Sequence, residues 1–449
     1  MENRNTLAVH VISLGCAKNL VDTEVMCGGL VTNGFCLAEA PEDADVVLVN
    51  TCAFIRDARE EAFQSIEWAL QWKGRSRRKM VVVAGCLAQR SPKELLEKYP
   101  GIDLLIGLDD IPALPSLILA AREQKGRLPE IGLPRYLYSD ETPRLTLTPR
   151  SYGYVKIAEG CDHRCAYCAI PMIRGKQRSR TVDSVVRECH QLLGQGAKEL
   201  DFIAQDSSRY GADLKDGTDL EALLRKCDAL DGDFWIRVLY THPLHLTEGL
   251  LDILANGRHV VPYLDIPLQH ISSSVLARMG RGMDGPSTRK LLETVRKTYP
   301  QIGIRTTFLT GFPGESEQDF QELLSFVQEF GFDRLGAFAF SPEEGTPAMT
   351  MDGQIPQKVA LRRKNILLAE QQKISLQRNC SWKGKVVRVL LEDSEKRGVA
   401  TGRTVWDAPE VDQLVTVSLK KGKNAPLPRF AQVRITTTGD YSLQGEEIE

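Results

Sequence analysis

Within GCDHRCAYC, residues 160–168, three cysteines stand at Cys161, Cys165 and Cys168. Zinc in a structural site normally takes four ligands, commonly as two distant C-x₂-C pairs. The Cx₃Cx₂C run has no fourth local cysteine. A [4Fe–4S] cluster held by three thiolates leaves one iron clear of protein, and an open iron is a place for a small molecule to bind. The alternatives are a zinc knuckle or three unrelated buried thiols. His163 lies inside the run and reads as a loop surface residue rather than a ligand.

Three further cysteines close apolar runs near the start: VHVISLGC at Cys16, DVVLVNTC at Cys52 and MVVVAGC at Cys86. Each alone reads as a buried apolar residue, because free cysteine is among the most buried types. Runs rich in β-branched residues and closed by small or polar ones predict strands of a parallel sheet, with helices around Leu20–Val31 and Ala58–Gln71 between them. In such a sheet all strand C-termini share one edge, where ligands bind. The three cysteines are then neighbours in space, and ligation becomes the better reading of all three together. Cys27, Cys36, Cys189, Cys227 and Cys380 share no such placement and read as packed thiols.

Residues 127–150 hold four prolines without periodicity and read as a linker. Six strand candidates follow from Tyr152: YGYVKIAEG, KELDFIAQD, FWIRVLY, VPYLDIPLQ, GIRTTFLTG and RLGAFAFSP. They alternate with helical stretches over Val182–Leu193, Leu246–Asn256, Ser287–Lys297 and Glu315–Phe330. Six βα units suit an incomplete, open barrel. Gln357–Gln377 has the spacing of one long amphipathic helix. Beyond it KVVRVLLED, GVATGRTVW, QLVTVSLKK and AQVRITTTGDYSL alternate with period two, as strands of a small barrel do. The expected fold class is α/β: an N-terminal parallel-sheet α/β domain over residues 1–126, a linker over 127–150, a partial (β/α)6 barrel with a trailing helix over 151–379, and a small all-β barrel over 380–449.

The chain has 449 residues, more than one core usually supports, and 42% of them are hydrophobic. No apolar run is long enough to cross a bilayer, and MENRNT lacks the layout of a signal peptide, so the expected location is cytoplasmic. Eleven cysteines, an odd count, argue against a disulfide framework. A net charge of -2 provides no global attraction to nucleic acid. The basic runs KGRSRRK (73–79) and RGKQRSR (174–180) read equally as solvated loop ends or as binding patches.

The Cx₃Cx₂C run after the first strand of a partial barrel, with Tyr167 directly before the last cysteine, resembles the signature of radical S-adenosylmethionine enzymes. The resemblance implies that S-adenosylmethionine chelates the open iron and is cleaved to a radical that abstracts hydrogen from substrate. SLGCAKNLVDTE, VNTCAFIRDAREEA and AGCLAQR around Cys16, Cys52 and Cys86 resemble the N-terminal domain of methylthiotransferases, which implies a second [4Fe–4S] cluster whose free iron accepts the sulfur. Gln205 and Asp206 end the second barrel strand and Arg305 lies on the fifth. With Tyr167 they are candidate S-adenosylmethionine contacts, a packing or ion-pair role being the alternative. GFPGES, residues 311–316, resembles the family's TGFPGE turn and predicts a capped helix start.

Two substrates divide this family, an adenosine of transfer RNA and an aspartate of a ribosomal protein. SLGCAKNLVDTE, NTCAFIRDAREE and WDAPEVD (406–412) look like the protein-modifying RimO type, and the resemblance spans about residues 8–445. It implies insertion of a methylthio group at the β-carbon of an aspartate in small-subunit ribosomal protein S-twelve, with two S-adenosylmethionine molecules per product and an external electron donor. The terminal barrel resembles a TRAM domain, which implies ribosome or RNA contact. Its charges nearly cancel, however, and Asp407, Glu410 and Asp412 form an acidic cluster that suits a basic protein partner or an ordinary solvated turn.

Overall fold

The computed structural model describes residues 6–448 except 54, 77, 124–130 and 421–425. Two compact units result. One comprises Met1–Leu147, Ala158–His163 and Cys168–Arg180; the other comprises Thr148–Ile157, Arg164–Tyr167 and Thr181–Glu449.

In the first unit, β1 (Ala8–Ser13), β2 (Cys36–Leu37), β3 (Val46–Thr51), β4 (Met80–Gly85) and β5 (Leu104–Leu105) form a parallel sheet in the order β2-β1-β3-β4-β5. Every residue of β3 and β4 is buried, as expected for strands covered on both faces. The helices Ala17–Thr32 and Arg56–Lys73 fill the two predicted intervals. The two-residue edge strands escape a reading based on long apolar runs, because they carry too few residues to show a period.

The segment expected to be a linker is largely part of this unit; its first residues lie outside the described ones. The Arg144 guanidinium pairs with the buried Glu24 carboxylate at 2.6 Å, and Glu24 also accepts from the backbone N–H of Leu147 at 2.6 Å. Tyr138 is buried and its ring lies 4.4 Å from the Arg180 guanidinium. Specific polar anchors, invisible to periodicity, fasten this proline-rich stretch.

The short pair β7 (Ala158–Glu159) and β8 (Arg178–Ser179) also belongs to this unit. In the second unit, β6 (Tyr152–Lys156), β9 (Glu199–Ile203) and β10 (Trp235–Val238) form one parallel sheet. A second comprises β11 (Tyr263–Asp265), β12 (Gly303–Thr310) and β13 (Arg334–Ala339). The bridge between Ile236 and Val260 joins them, so all six predicted strands stand in one open arc. The helix Glu317–Phe330 starts at Ser316, which exchanges capping hydrogen bonds with Asp319, as the GFPGES turn led one to expect.

The helix Gln357–Cys380 exists but is not amphipathic in the predicted sense. Its buried stripe is Ala360, Arg363, Leu367, Gln371, Ser375 and Asn379, while Leu361, Ile366 and Leu376 are exposed. Polar side chains go inward because each finds a partner. Arg363 pairs with Glu315 at 3.0 Å, Gln371 donates to the Phe332 carbonyl at 3.0 Å, and Asn379 donates to Gln413 at 2.8 Å.

The terminal barrel closes in the order β14-β15-β16-β18-β17, from β14 (Val386–Lys396), β15 (Val399–Thr404), β16 (Leu414–Ser418), β17 (Arg429–Thr438) and β18 (Ser442–Glu447). It has five strands where the sequence suggested four, since AQVRITTTGDYSL contains a turn at Gly439–Asp440 that breaks it in two. The acidic cluster is not a docking loop for a basic partner. Asp407 is fully buried and paired with Arg334, Asp412 accepts from the Tyr263 hydroxyl at 2.6 Å, and Glu410 accepts from Tyr152 and Tyr154 at 2.8 and 3.2 Å. Tyr152, Tyr263 and Arg334 open β6, β11 and β13, so the loop caps the N-terminal mouth of the strand arc.

Among the described residues, no helix is long and apolar enough to cross a membrane.

Candidate cluster and cofactor site

Cys16, Cys52 and Cys86 follow β1, β3 and β4, three consecutive neighbours in the sheet. The register aligns Ser13 with Asn50 and Asn50 with Ala84, so each cysteine stands two or three residues beyond one cross-strand row. The turns between strand and cysteine are tight. A Cβ on Gly85, at φ +90°, would fall 2.2 Å from the Asn50 side-chain oxygen and 2.5 Å from the Thr51 carbonyl. A Cβ on Gly15, at φ +92°, would fall 2.7 Å from Cys52 Cβ, which brings the approach to Cys16 against Cys52. All eleven cysteines of the chain are thiols rather than disulfide halves.

Arg174, from the RGKQRSR run, acts on two thiols of this trio, Cys16 and Cys86. Arg174 is 2% exposed rather than solvated. Its Nη1 donates to both oxygens of Glu159 at 2.9 and 3.0 Å, and its Nη2 donates to Asp22 at 2.8 Å and to Cys86 Sγ at 3.3 Å. Burial pushes the Cys86 thiol up, against the pull of Arg174. Burial acts most strongly on Cys16, but the Lys18 and Arg174 charges together with backbone hydrogen bonds from Asn19 and Lys18 hold that thiol below its ordinary value. Three thiols at one sheet edge beside a buried cation match the donor set of a cluster with one open corner.

In the Cx₃Cx₂C run, the Cys161 N–H donates to the Gly175 carbonyl at 3.1 Å, and the Asp162 carboxylate accepts from the Gln177 N–H at 3.2 Å. His163 is half-buried rather than a surface residue. Cys165 belongs to the second unit, where the Ala166 N–H donates to Met279 O and the Ala348 N–H to Ala166 O, both at 2.9 Å. There too a buried arginine meets a thiol: Arg281 Nη1 lies 3.6 Å from Cys165 Sγ and 3.5 Å from the Tyr167 hydroxyl, while Nη2 donates to the Pro267 carbonyl at 2.7 Å. Tyr167 meets Phe312 edge-on, at 6.4 Å between centroids, within a cluster formed by Ala166, Val275, Met279 and Phe340.

Gln205 and Asp206 lie just beyond β9, in a turn pinned by Ser207, whose hydroxyl donates to the Leu239 carbonyl at 2.6 Å. Asp206 is buried and accepts from Ser208 at 2.5 Å. Both polar atoms of the Gln205 carboxamide are buried without a partner among the described residues. Arg305 has the ion-pair role: it sits in the first half of β12, 3.1 Å from Asp265 and 3.5 Å from Asp412, away from the strand C-termini. Cys36 and Cys380, read as packed thiols, are exposed; Cys27, Cys189 and Cys227 are buried. Sequence reasoning did not find Arg174 or Arg281. The one was hidden in a basic run and the other in MGRGM, and only burial separates them from surface arginines.

The uncharacterized protein family UPF0004 matches residues 8–107, the radical SAM superfamily residues 155–327, and the TRAM domain residues 384–448. The ribosomal protein uS12 methylthiotransferase RimO of Pelotomaculum thermopropionicum is 43% identical over 98% of this chain and 99% of its own length. The chain belongs to the RimO methylthiotransferase family. The RimO proteins of Akkermansia muciniphila and Geobacter sulfurreducens are 43% and 39% identical, each over 98% of this chain and over 100% and 98% of their own lengths. The radical S-adenosylmethionine methyltransferase TsrM from Kitasatospora setae, solved with a tryptophan substrate and an S-adenosylmethionine analogue, has a TM-score of 0.54 at 17% identity. It covers 77% of this chain and 75% of its own, and carries the fold alone.

Proposed function

We propose that this chain inserts a methylthio group at the β-carbon of an aspartate of ribosomal protein uS12. The observation that carries the reading is the pairing of two cysteine trios in one chain with RimO relatives matched from end to end. Cys161, Cys165 and Cys168 hold one [4Fe–4S] cluster, and Cys16, Cys52 and Cys86 hold the other. When bound, the clusters and S-adenosylmethionine supply the electron, radical and sulfur chemistry that no side chain here provides.

The protein's own part is placement. The sheet register brings the first trio to one edge. The Tyr167–Phe312 cluster walls the neighbourhood of Cys165 with apolar rings that keep water from a reactive centre. Gln205 offers a donor and an acceptor to the polar groups of S-adenosylmethionine, and Asp206 fixes the turn that presents it. A C–H bond at an aspartate β-carbon has no proton acidic enough for a side-chain base at neutral pH, which fits the lack of any need for one. The TRAM barrel offers a surface for RNA of the ribosomal subunit, and such a substrate places the enzyme in the cytoplasm.

The test is an anaerobic assay with a reductant, a sulfide source and methyl-labelled S-adenosylmethionine, offering uS12 and transfer RNA together. Label on a uS12 aspartate is expected. Label recovered only in transfer-RNA adenosine would overturn the assignment.

A further inference from the structure

We infer that Arg174 is a positioning residue for the auxiliary cluster, holding the Cys86 thiolate by an N–H···S hydrogen bond and thereby raising that cluster's reduction potential. The inference rests on the reading of Cys16, Cys52 and Cys86 as cluster ligands.

The donor arithmetic carries the argument. A guanidinium has five N–H groups in a rigid planar fork. The two hydrogens of Nη2 serve the two acceptors that lie within reach, Asp22 at 2.8 Å and Cys86 Sγ at 3.3 Å, while Nη1 serves both oxygens of Glu159. With two carboxylates clamping it, the plane has no freedom to turn away from the sulfur. Side-chain exposure is 2% for Arg174, 5% for Asp22 and 6% for Glu159, so water offers no substitute partner. A buried ion triad of this kind contributes little net stability against an apolar replacement of equal volume, so its presence calls for another use. Here the use is visible: the third partner of the guanidinium is a cluster ligand.

The three anchoring points matter in the chain. Asp22 lies on the helix that starts directly after Cys16, Cys86 opens the helix after β4, and Glu159 stands two residues before Cys161. One planar group therefore fixes the helix behind one thiol, a second thiol itself, and the strand end that leads into the Cx₃Cx₂C run. Hydrogen bonds to cluster sulfurs are among the factors that set the potential, a donor favouring the more negative, reduced state. Arg281 has the same relation to Cys165, at 3.6 Å, and is the natural counterpart.

The experiment isolates each cluster in the full-length chain. A C161A/C165A/C168A variant keeps only the auxiliary trio, and a C16A/C52A/C86A variant keeps only the other. Each is reconstituted with iron and sulfide, with and without Arg174→Gln or Arg174→Lys. Iron is counted, and midpoint potentials are read by redox titration followed by electron paramagnetic resonance. Lysine retains charge and bulk but cannot serve two carboxylates and a sulfur at once, so it covers the case in which glutamine leaves the carboxylates too exposed to each other to fold. The expected result is a lower midpoint, or loss of iron, for the auxiliary cluster in both variants, with the midpoint of the other cluster unchanged. Unchanged iron and midpoint in the auxiliary-only background, or equal shifts in both backgrounds, would overturn the inference. Absence of any cluster from the auxiliary-only parent would instead overturn the assignment of the trio.

Discussion

Tyr263, the first residue of β11, donates its hydroxyl to Asp412 of the terminal barrel at 2.6 Å. The contact belongs to a seam of buried polar pairs that includes Arg334 with Asp407 and Arg403 with Glu199, the latter at 2.6 Å. Asp407, Glu199, Arg403 and Tyr263 are essentially inaccessible to water, as is Arg237, which pairs with Glu199 at 2.7 Å and donates to the Val405 carbonyl at 2.8 Å. Charged and polar pairs thus fasten the terminal barrel to the strand arc.

Breaking one partner of such a pair leaves the other charge buried and uncompensated. Arg334→Met should therefore lower the unfolding free energy by about 3 kcal/mol, because it strands a fully buried carboxylate, and Asp407→Asn by less, because the arginine it leaves behind is partly exposed and keeps the Asp333 carbonyl as a partner. Thermal or urea unfolding of the full chain measures both. An Arg334→Met protein as stable as its parent would mean that the seam contributes nothing.

Gln205 makes a sharper prediction about binding. Its carboxamide is buried without a protein partner, so removing it should leave the fold and the iron content intact. Gln205→Ala should weaken S-adenosylmethionine binding about tenfold, the loss of about 1.4 kcal/mol expected for one or two hydrogen bonds. Isothermal calorimetry on the reconstituted protein reads this directly. Equal affinity would remove Gln205 from the cofactor site.

His270 predicts a pH dependence of stability. It is fully buried, its Nδ1 accepts from the Ser272 N–H at 3.0 Å, and burial pulls its pKa down to about 3. The folded state therefore resists the protonation that the unfolded chain accepts near pH 6.5. Its contribution is complete above pH 6.5 and is lost as the pH falls from there toward 3, at up to about 1.4 kcal/mol per pH unit. His270→Asn keeps the acceptor but does not titrate. Urea midpoints of the two proteins should run parallel above pH 7 and diverge between pH 6.5 and 5, the parent losing more. Parallel behaviour throughout would contradict the buried neutral imidazole.

Much of the architecture was legible because strands such as DVVLVNTC and MVVVAGC are continuous apolar runs with cysteine at the end, and a parallel sheet necessarily brings such ends to one edge. The meeting of Cys16, Cys52 and Cys86 at one sheet edge was legible for the same reason. What stayed hidden depends on partners far away in sequence. Asp407 and Asp412 look like surface acids until Arg334 and Tyr263 are placed beside them, and Arg174 looks like a surface base until Asp22, Glu159 and Cys86 surround it. The buried polar stripe of Gln357–Cys380 misled for the same physical reason, since Arg363 and Gln371 are apolar-face residues only in the presence of Glu315 and the Phe332 carbonyl. The burial of the Gln205 carboxamide without a protein partner among the described residues is likewise a property that no sequence pattern expresses.

The account stands on two cysteine trios, each holding its own cluster. Quantifying iron and acid-labile sulfide in the anaerobically reconstituted chain, beside Cys86→Ala and Cys165→Ala, tests this most directly. About eight irons per chain are expected in the parent and about four in each variant, with cleavage of S-adenosylmethionine surviving only in Cys86→Ala. A parent that saturates at about four irons, or a Cys86→Ala protein that still binds eight, would contradict it.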